Sequence, residues 1–245
     1  MCHAADADRE PPGAPDLRDV YRARRAVSGV VRRTPLLESR ALSERAGTSV
    51  HLKLENLQLT GAFKARGAAN ALAALDEEAR RRGVIAVSTG NHGRAVAVAA
   101  GRLGVKATVC VSERVPADKI AALRATGCEL LVAGDSQDEA EARARELVDE
   151  RGLTLVHPFD DPHVIAGQGT IGLELLEELP DVAVAVVPLS GGGLIAGVAL
   201  ALKAADRRVR VVGVSMEAGA AMARSLEATV TPSRWCATSW TTWCW

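Results

Sequence analysis

Short apolar runs alternate with amphipathic stretches of helical length from residue 84 onward, and this alternation limits the possible folds more than any other feature of the chain. The runs 84–87, 108–111, 129–132, 154–156, 182–187 and 210–214 are short and rich in β-branched residues, while 116–126, 137–150, 164–179 and 192–204 carry apolar residues at a helical period. Strands joined through helices lie parallel, because a parallel pair needs a crossover of about a dozen residues or more and a helix supplies it. The fold class is therefore α/β. Open parallel sheets collect ligands where strands end and helices begin, so those junctions are the places to look for chemistry.

Upstream of the regular part, Leu17, Val20, Tyr21, Val27, Val30 and Val31 follow Asp16 at helical spacing and predict a helix as far as Arg33, stopped by Thr34-Pro35. Val50, Leu52 and Leu54 alternate with His51 and Lys53 as in a half-buried strand, and an alanine-rich helix is expected over 63–75.

Composition narrows the partners. The 245 residues are 48% hydrophobic and 24% charged, enough apolar content for a sizeable core. Thirty basic residues balance thirty acidic ones, so nothing draws the chain as a whole to nucleic acid or to an anionic membrane, and any anion site must be local. No stretch approaches the roughly twenty apolar residues that span a bilayer. Residues 1–15 lack an apolar signal core and read as a disordered arm. Five cysteines without CxxC spacing argue against a disulfide framework or a zinc site. Cys110 and Cys128 read as small apolar residues, and a reducing cytoplasm is the expected location.

Three segments carry chemistry. In Val87-Ser88-Thr89-Gly90-Asn91-His92-Gly93 a strand passes into a helix through glycines that let backbone amides approach an anion, and Ser88, Thr89 and Asn91 add side-chain donors. This suits a carboxylate; the same spacing also suits a tight turn with an ordinary N-cap. In Pro188-Leu189-Ser190-Gly191-Gly192-Gly193-Leu194 three glycines open a helix, which suits a phosphate, although the spacing is neither that of a Walker loop nor GxGxxG. In Thr60-Gly61-Ala62-Phe63-Lys64-Ala65-Arg66-Gly67-Ala68, Lys64 falls in the first helical turn in apolar company, where partial withdrawal from water makes an amine nucleophilic toward an aldehyde.

Together these segments resemble the fold-type II pyridoxal-phosphate (PLP) enzymes, in particular the serine/threonine dehydratase branch, over residues 32–227. The resemblance implies a tryptophan synthase β-like architecture of two open, mostly parallel α/β domains: a small domain over 83–156, a large PLP-binding domain over 16–82 plus 157–228, and an atypical tail over 229–245. It implies that Lys64, in Phe63-Lys64-Ala65-Arg66-Gly67-Ala68, bonds the cofactor aldehyde. Ser88, Thr89, Gly90, Asn91 and His92 would hold the substrate carboxylate, with Asn91 also touching the cofactor. Phe63, Ser190, Gly191, Gly192, Gly193 and Leu194 would complete the cofactor site. The segments Ser88-Thr89-Gly90-Asn91-His92-Gly93-Arg94-Ala95, Pro188-Leu189-Ser190-Gly191-Gly192-Gly193-Leu194 and Gly213-Val214-Ser215-Met216-Glu217 are most similar to the hydroxyectoine-utilisation dehydratases. Relatives of this kind are commonly homodimers.

The implied reaction is β-elimination from a small β-hydroxy amino acid such as threonine, serine or hydroxyaspartate, giving a 2-oxo acid and ammonia with Lys64 as the base. Alternatives are racemisation on the same lysine, with a hydroxyl on the Thr89 side as acid, and a catalytically impaired PLP-binding remnant. A plain sugar-phosphate or nucleotide binder would leave Lys64 and the Asn91 turn unexplained.

The chain departs from the pattern in several places. Ala62 stands where many relatives have serine, and Ser190 replaces the first of four glycines. Ala223 interrupts the acidic cluster that begins at Glu217 in metal-dependent relatives, so no metal is expected. All four tryptophans fall in the last eleven residues, which suggests a truncated or out-of-frame end that leaves the larger domain incomplete.

Overall fold

The computed structural model describes residues 13–216. Glu217, Ala223, the tail 229–245 and most of the expected N-terminal arm lie outside the described residues.

The first helix, α1 (Leu17–Ala26), starts on a capping box in which Asp16 and Asp19 each accept the other's backbone N–H at 3.0 Å. It ends seven residues before the expected Arg33. The N–H of Val27 closes on the carbonyl of Ala23 at 2.9 Å, and Gly29 then turns the chain at φ 79°. Val30 and Val31 still pack against the core, but from a turn. An apolar pattern can persist across a break that a single glycine permits.

Two short strands, β1 (Leu36–Glu38) and β2 (His51–Lys53), pair antiparallel around α2 (Arg40–Ala46). The lysine-bearing helix α3 (Lys64–Ala73) follows, then α4 (Glu77–Arg82), whose N-cap Asp76 accepts from the N–H of Ala79 at 2.7 Å.

The next stretch is β3 (Val84–Val87), α5 (Asn91–Leu103), β4 (Ala107–Val111), α6 (Ala117–Arg124), β5 (Glu129–Val132), α7 (Gln137–Arg151) and β6 (Thr154–Leu155). Its strands form one parallel sheet in the order β5-β4-β3-β6. The two-residue period sorts side chains between faces. Ile85 and Cys110 meet Ala140, Ala144 and Leu147 of α7, whereas Val109 and Val111 meet Ala97 and Leu123 on the other side. Cys110, buried with its thiol 3.2 Å from the carbonyl of Ala140, serves as a small core residue.

The chain closes with α8 (Pro162–Glu178), β7 (Val184–Pro188), α9 (Gly193–Ala205) and β8 (Arg210–Val214), with β7 and β8 parallel. Helix α8 touches its neighbours backbone to backbone. A Cβ at Gly167 would lie 2.6 Å from the Cα of Gly67 on α3, and one at Gly197 on α9 would lie 2.6 Å from the N of Gly169. Glycine is required at these crossings because nothing larger fits. The consequence is that α8 sits at backbone distance from both α3 and α9, the helices whose N-terminal ends carry Lys64 and the glycine loop.

Among the described residues no helix is long and apolar enough to cross a membrane, and no cluster of three or more His, Cys, Asp or Glu has the disposition of a metal site.

Candidate active site

Lys64 is the first residue of α3, and its ammonium group donates to the carbonyl oxygen of Pro158, ninety-four residues away in sequence. The same nitrogen lies 5.4 Å from the centre of the Phe63 ring. Burial among these groups lowers its pKa from 10.5 to about 8, since a charged amine loses hydration there. A lysine so placed supplies a useful fraction of free amine near neutral pH.

Pro158 belongs to Val156-His157-Pro158-Phe159-Asp160, which links β6 to α8 and ties the site together. The Nδ1 of His157 accepts the N–H of Asp160 at 2.7 Å and that of Phe159 at 3.3 Å. The His157 and Phe159 rings meet edge to face, 4.6 Å apart at 82°. No motif marks this segment in the sequence. One signal was present: the chain contains two phenylalanines, Phe63 and Phe159, and the fold brings both to Lys64 or its acceptor loop.

The turn after β3 joins the same segment. His92 is 4% exposed, and its Nε2 donates to the carbonyl of Val156 at 2.8 Å, while its buried Nδ1 has no partner among the described residues. Burial lowers its pKa to about 4, aided by the nearby charges of Lys64 and His157, although the Val156 bond works in the opposite direction. Its side chain thus braces the turn from inside, a different part from that of Ser88, Thr89 and Gly90, which are half-buried, and of Asn91, which is exposed. Ser88 accepts the N–H of Gly90 through its hydroxyl at 3.2 Å. Gly90 has open space where a Cβ would be, whereas Gly93 lies against the Ser88 carbonyl and 3.0 Å, by its virtual Cβ, from Val109. Close packing makes Gly93 obligatory.

In the glycine loop, Ser190 is exposed and Gly192 caps α9 at φ 91°, a left-handed conformation that favours glycine. A Cβ on Gly191 would fall on the Phe159 ring, and one on Gly193 would come 2.8 Å from the Phe159 carbonyl. Two of the three glycines are therefore required by the approach of Phe159. The N–H groups of Gly193 and Leu194 stand in the first turn of a 13-residue helix, at the positive end of its dipole.

Behind Lys64 lies a buried charge network. Arg66, 1% exposed, donates to Glu55 at 2.8 and 2.9 Å and to Glu174 at 2.6 and 3.0 Å. Lys53 reaches Glu174 at 2.7 Å. Burial by itself raises the Glu174 carboxyl, but Arg66 and Lys53 outweigh it and hold the pKa below the usual value. Arg66 thus anchors the helix that presents Lys64 to the 3-10 turn 55–57 and to α8, and Glu174 extends the network to Lys53 of β2.

The donor set fits a phosphate-bearing aldehyde: an amine withdrawn from water, a helix N-terminus opened by glycines, and one loop packed against both. These features are those of an α/β scaffold with room for a cofactor that carries an aldehyde and a phosphate. Residues 27–242 match the family described as pyridoxal-phosphate dependent enzymes, and the chain belongs to that family, with PLP as its cofactor.

Among curated proteins, the chain is 52% identical over 212 residues to a putative threonine dehydratase of Sinorhizobium fredii, covering 86% of this chain and 64% of that protein. It is 49% identical over 210 residues to the L-threonine ammonia-lyase of Thermotoga maritima, covering 86% and 52% respectively. The chain thus spans less than two thirds of these relatives. Among solved structures, maize serine racemase superposes with a TM-score of 0.85 at 36% identity, covering 88% of this chain and 66% of that one. A threonine deaminase from T.th. superposes at 0.82 and 46%, covering 88% and 70%. The architecture is that of the fold-type II enzymes, as expected from the sequence.

Proposed function

We propose that this chain belongs to an enzyme that removes the β-hydroxyl of a small β-hydroxy amino acid, threonine, serine or hydroxyaspartate, to yield a 2-oxo acid and ammonia. The observation that carries the reading is the half-buried Lys64 amine, with a pKa of about 8, held on the loop that packs against the glycine turn of α9.

Bound PLP supplies an electron sink for negative charge at the substrate α-carbon. Lys64 is the residue to bond it and, once released, to take the α-proton as its free amine. Ser190, Gly191, Gly192, Gly193 and Leu194 are assigned to the cofactor phosphate, and Phe63 to the wall beside Lys64. Ser88, Thr89, Gly90 and Asn91 are assigned to the substrate carboxylate, with Asn91 also toward the cofactor. His92 contributes through the first turn of α5 and through its brace on Val156. The proposal includes the division of the chain into a smaller unit over 83–156, which holds the four-stranded sheet, and a larger one from the flanking segments, with the site between them. It also includes a homodimer in the cytoplasm and membership of the hydroxyectoine-utilisation subgroup. The likeness to maize serine racemase supports racemisation at the same lysine as the second reading.

The test is titration of the purified chain with PLP, followed by visible absorbance and borohydride reduction, for wild type and Lys64→Ala. Ammonia release from threonine, serine and hydroxyaspartate, and chiral analysis of recovered serine, complete it. A borohydride-fixed adduct on the peptide containing Lys64, absent from Lys64→Ala, together with ammonia supports the lyase. An adduct with inversion of serine and no ammonia favours the racemase, and no adduct on Lys64 refutes both.

A further inference from the structure

We propose that His157 is a positioning residue for Lys64: as an Nδ1-unprotonated imidazole it folds residues 157–160 into the turn that presents the Pro158 carbonyl to the lysine amine. The inference rests on the reading of Lys64 as the reactive amine and adds the device that aims it.

Proline has no N–H, so the first backbone donors after His157 are those of Phe159 and Asp160. Both point at His157 Nδ1, at 3.3 and 2.7 Å. One side-chain nitrogen therefore closes the turn, as an Asn or Asp oxygen does in an Asx turn. The closed turn leaves the Pro158 carbonyl facing Lys64, which donates to it, and sets the Phe159 ring against Gly191 and the Phe159 backbone against Gly193. Because an N–H can only donate, an Nδ1 that receives two of them must carry a lone pair, and the proton of the neutral ring sits on Nε2. A second proton would put three donors together and open the turn.

The groups facing His157 come from several elements. Lys64 approaches from α3 and His92 from α5, Glu141 from α7, and Asp160 and Asp161 from its own loop. Burial lowers the His157 pKa, opposed by the three carboxylates and reinforced by Lys64. The neutral form is accordingly the resting form at pH 7.

The test reads the lysine directly and needs no cofactor. Lys64 is methylated by formaldehyde and cyanoborohydride across pH, and its modification is followed by mass spectrometry of its peptide in wild type, His157→Ala and His157→Asn. Wild type should titrate with a midpoint of about 8. In His157→Ala the opened turn admits water to the amine, and the hydration gained should outweigh the lost Pro158 acceptor, which alone would lower the value, so that the midpoint rises by about one unit or more. In His157→Asn, whose side-chain oxygen can accept the same N–H groups, it should stay near the wild-type value. PLP capture by Lys64 should slow about tenfold in His157→Ala, the effect of losing one or two neutral hydrogen bonds, and recover in His157→Asn. An unshifted midpoint in folded His157→Ala, or no recovery in folded His157→Asn, overturns the proposal. Should His157→Ala fail to fold, ¹⁵N spectra of the wild-type imidazole decide: a bare Nδ1 with a protonated Nε2 at pH 7 upholds it, and a protonated Nδ1 overturns it. Failure of PLP to attach to wild-type Lys64 would refute the enzyme reading while leaving the methylation result to judge His157 separately.

Discussion

Replacing Arg66 by methionine removes the centre of the network beneath the lysine helix, and the structure sets the size of the effect. Arg66 is 1% exposed and Glu174 9% exposed, so the variant leaves Glu174 with Lys53 alone and takes from Glu55 its two guanidinium donors. Removing one member of a buried ion pair costs about 3–5 kcal/mol, because the remaining charge stays desolvated without its partner. For a chain of this size that is a fall in Tm of about 6–20 °C. The fall should depend on pH. In wild type the folded pKa of Glu174 lies below its unfolded value, so its contribution is present above about pH 4.5 and is lost as pH falls through the folded value. In the variant, burial pushes the same carboxyl the other way, so its penalty is greatest near neutrality and is relieved on acidification. Thermal unfolding followed by circular dichroism at pH 7 and pH 4 checks this. The gap between wild type and Arg66→Met should be largest at pH 7, and Arg66→Met/Glu174→Leu should regain much of the loss, since an apolar pair of similar volume carries no stranded charge. A fall of under about 2 °C, or an equal fall at both pH values, would refute the view that Arg66 works by compensating buried carboxylates.

Two further outcomes are expected. His92 has a folded pKa of about 4, below its unfolded 6.5, so wild-type stability should decline as pH drops from 6.5 toward 4, by up to about 1.4 kcal/mol per unit. His92→Gln should flatten that part of the stability curve in denaturant titrations, and an unchanged slope would assign the pH dependence elsewhere. Gly191→Ala places a methyl group on the Phe159 ring, so the loop must shift by the amount that overpacking demands, and PLP affinity should fall about tenfold or more with a stability loss of about 1–3 kcal/mol. Fluorescence titration with PLP measures the first and denaturant unfolding the second; an affinity equal to wild type would separate the glycine loop from the cofactor.

Much of the molecule was legible in the amino-acid order. The strand and helix alternation after residue 84, the lysine in Phe63-Lys64-Ala65-Arg66-Gly67-Ala68 and the glycine loop before α9 are local patterns, and local periodicity and chain chirality suffice to turn them into a parallel α/β scaffold with ligand-binding junctions. The end of α1 is hidden in the sequence, because the apolar spacing of Val27, Val30 and Val31 runs through Gly29, whose positive φ turns the chain.

What local pattern could not reveal are pairings across long separations. Lys64 meets Pro158 across 94 residues and Arg66 meets Glu174 across 108. Neither Pro158 nor Glu174 looks unusual in its own segment. Nor does His157 show in sequence whether its ring faces solvent or folds back on its own backbone. Their contacts arise because Gly67, Gly167, Gly169 and Gly197 let α3, α8 and α9 pack at backbone distance, which brings the loop before α8 to the lysine and against the glycine turn. Sequence alone determined the scaffold and pointed to Lys64, since both follow from neighbours in the chain; the burial of its amine and the carbonyl it donates to were decided by the packing of distant segments, which only the tertiary structure creates.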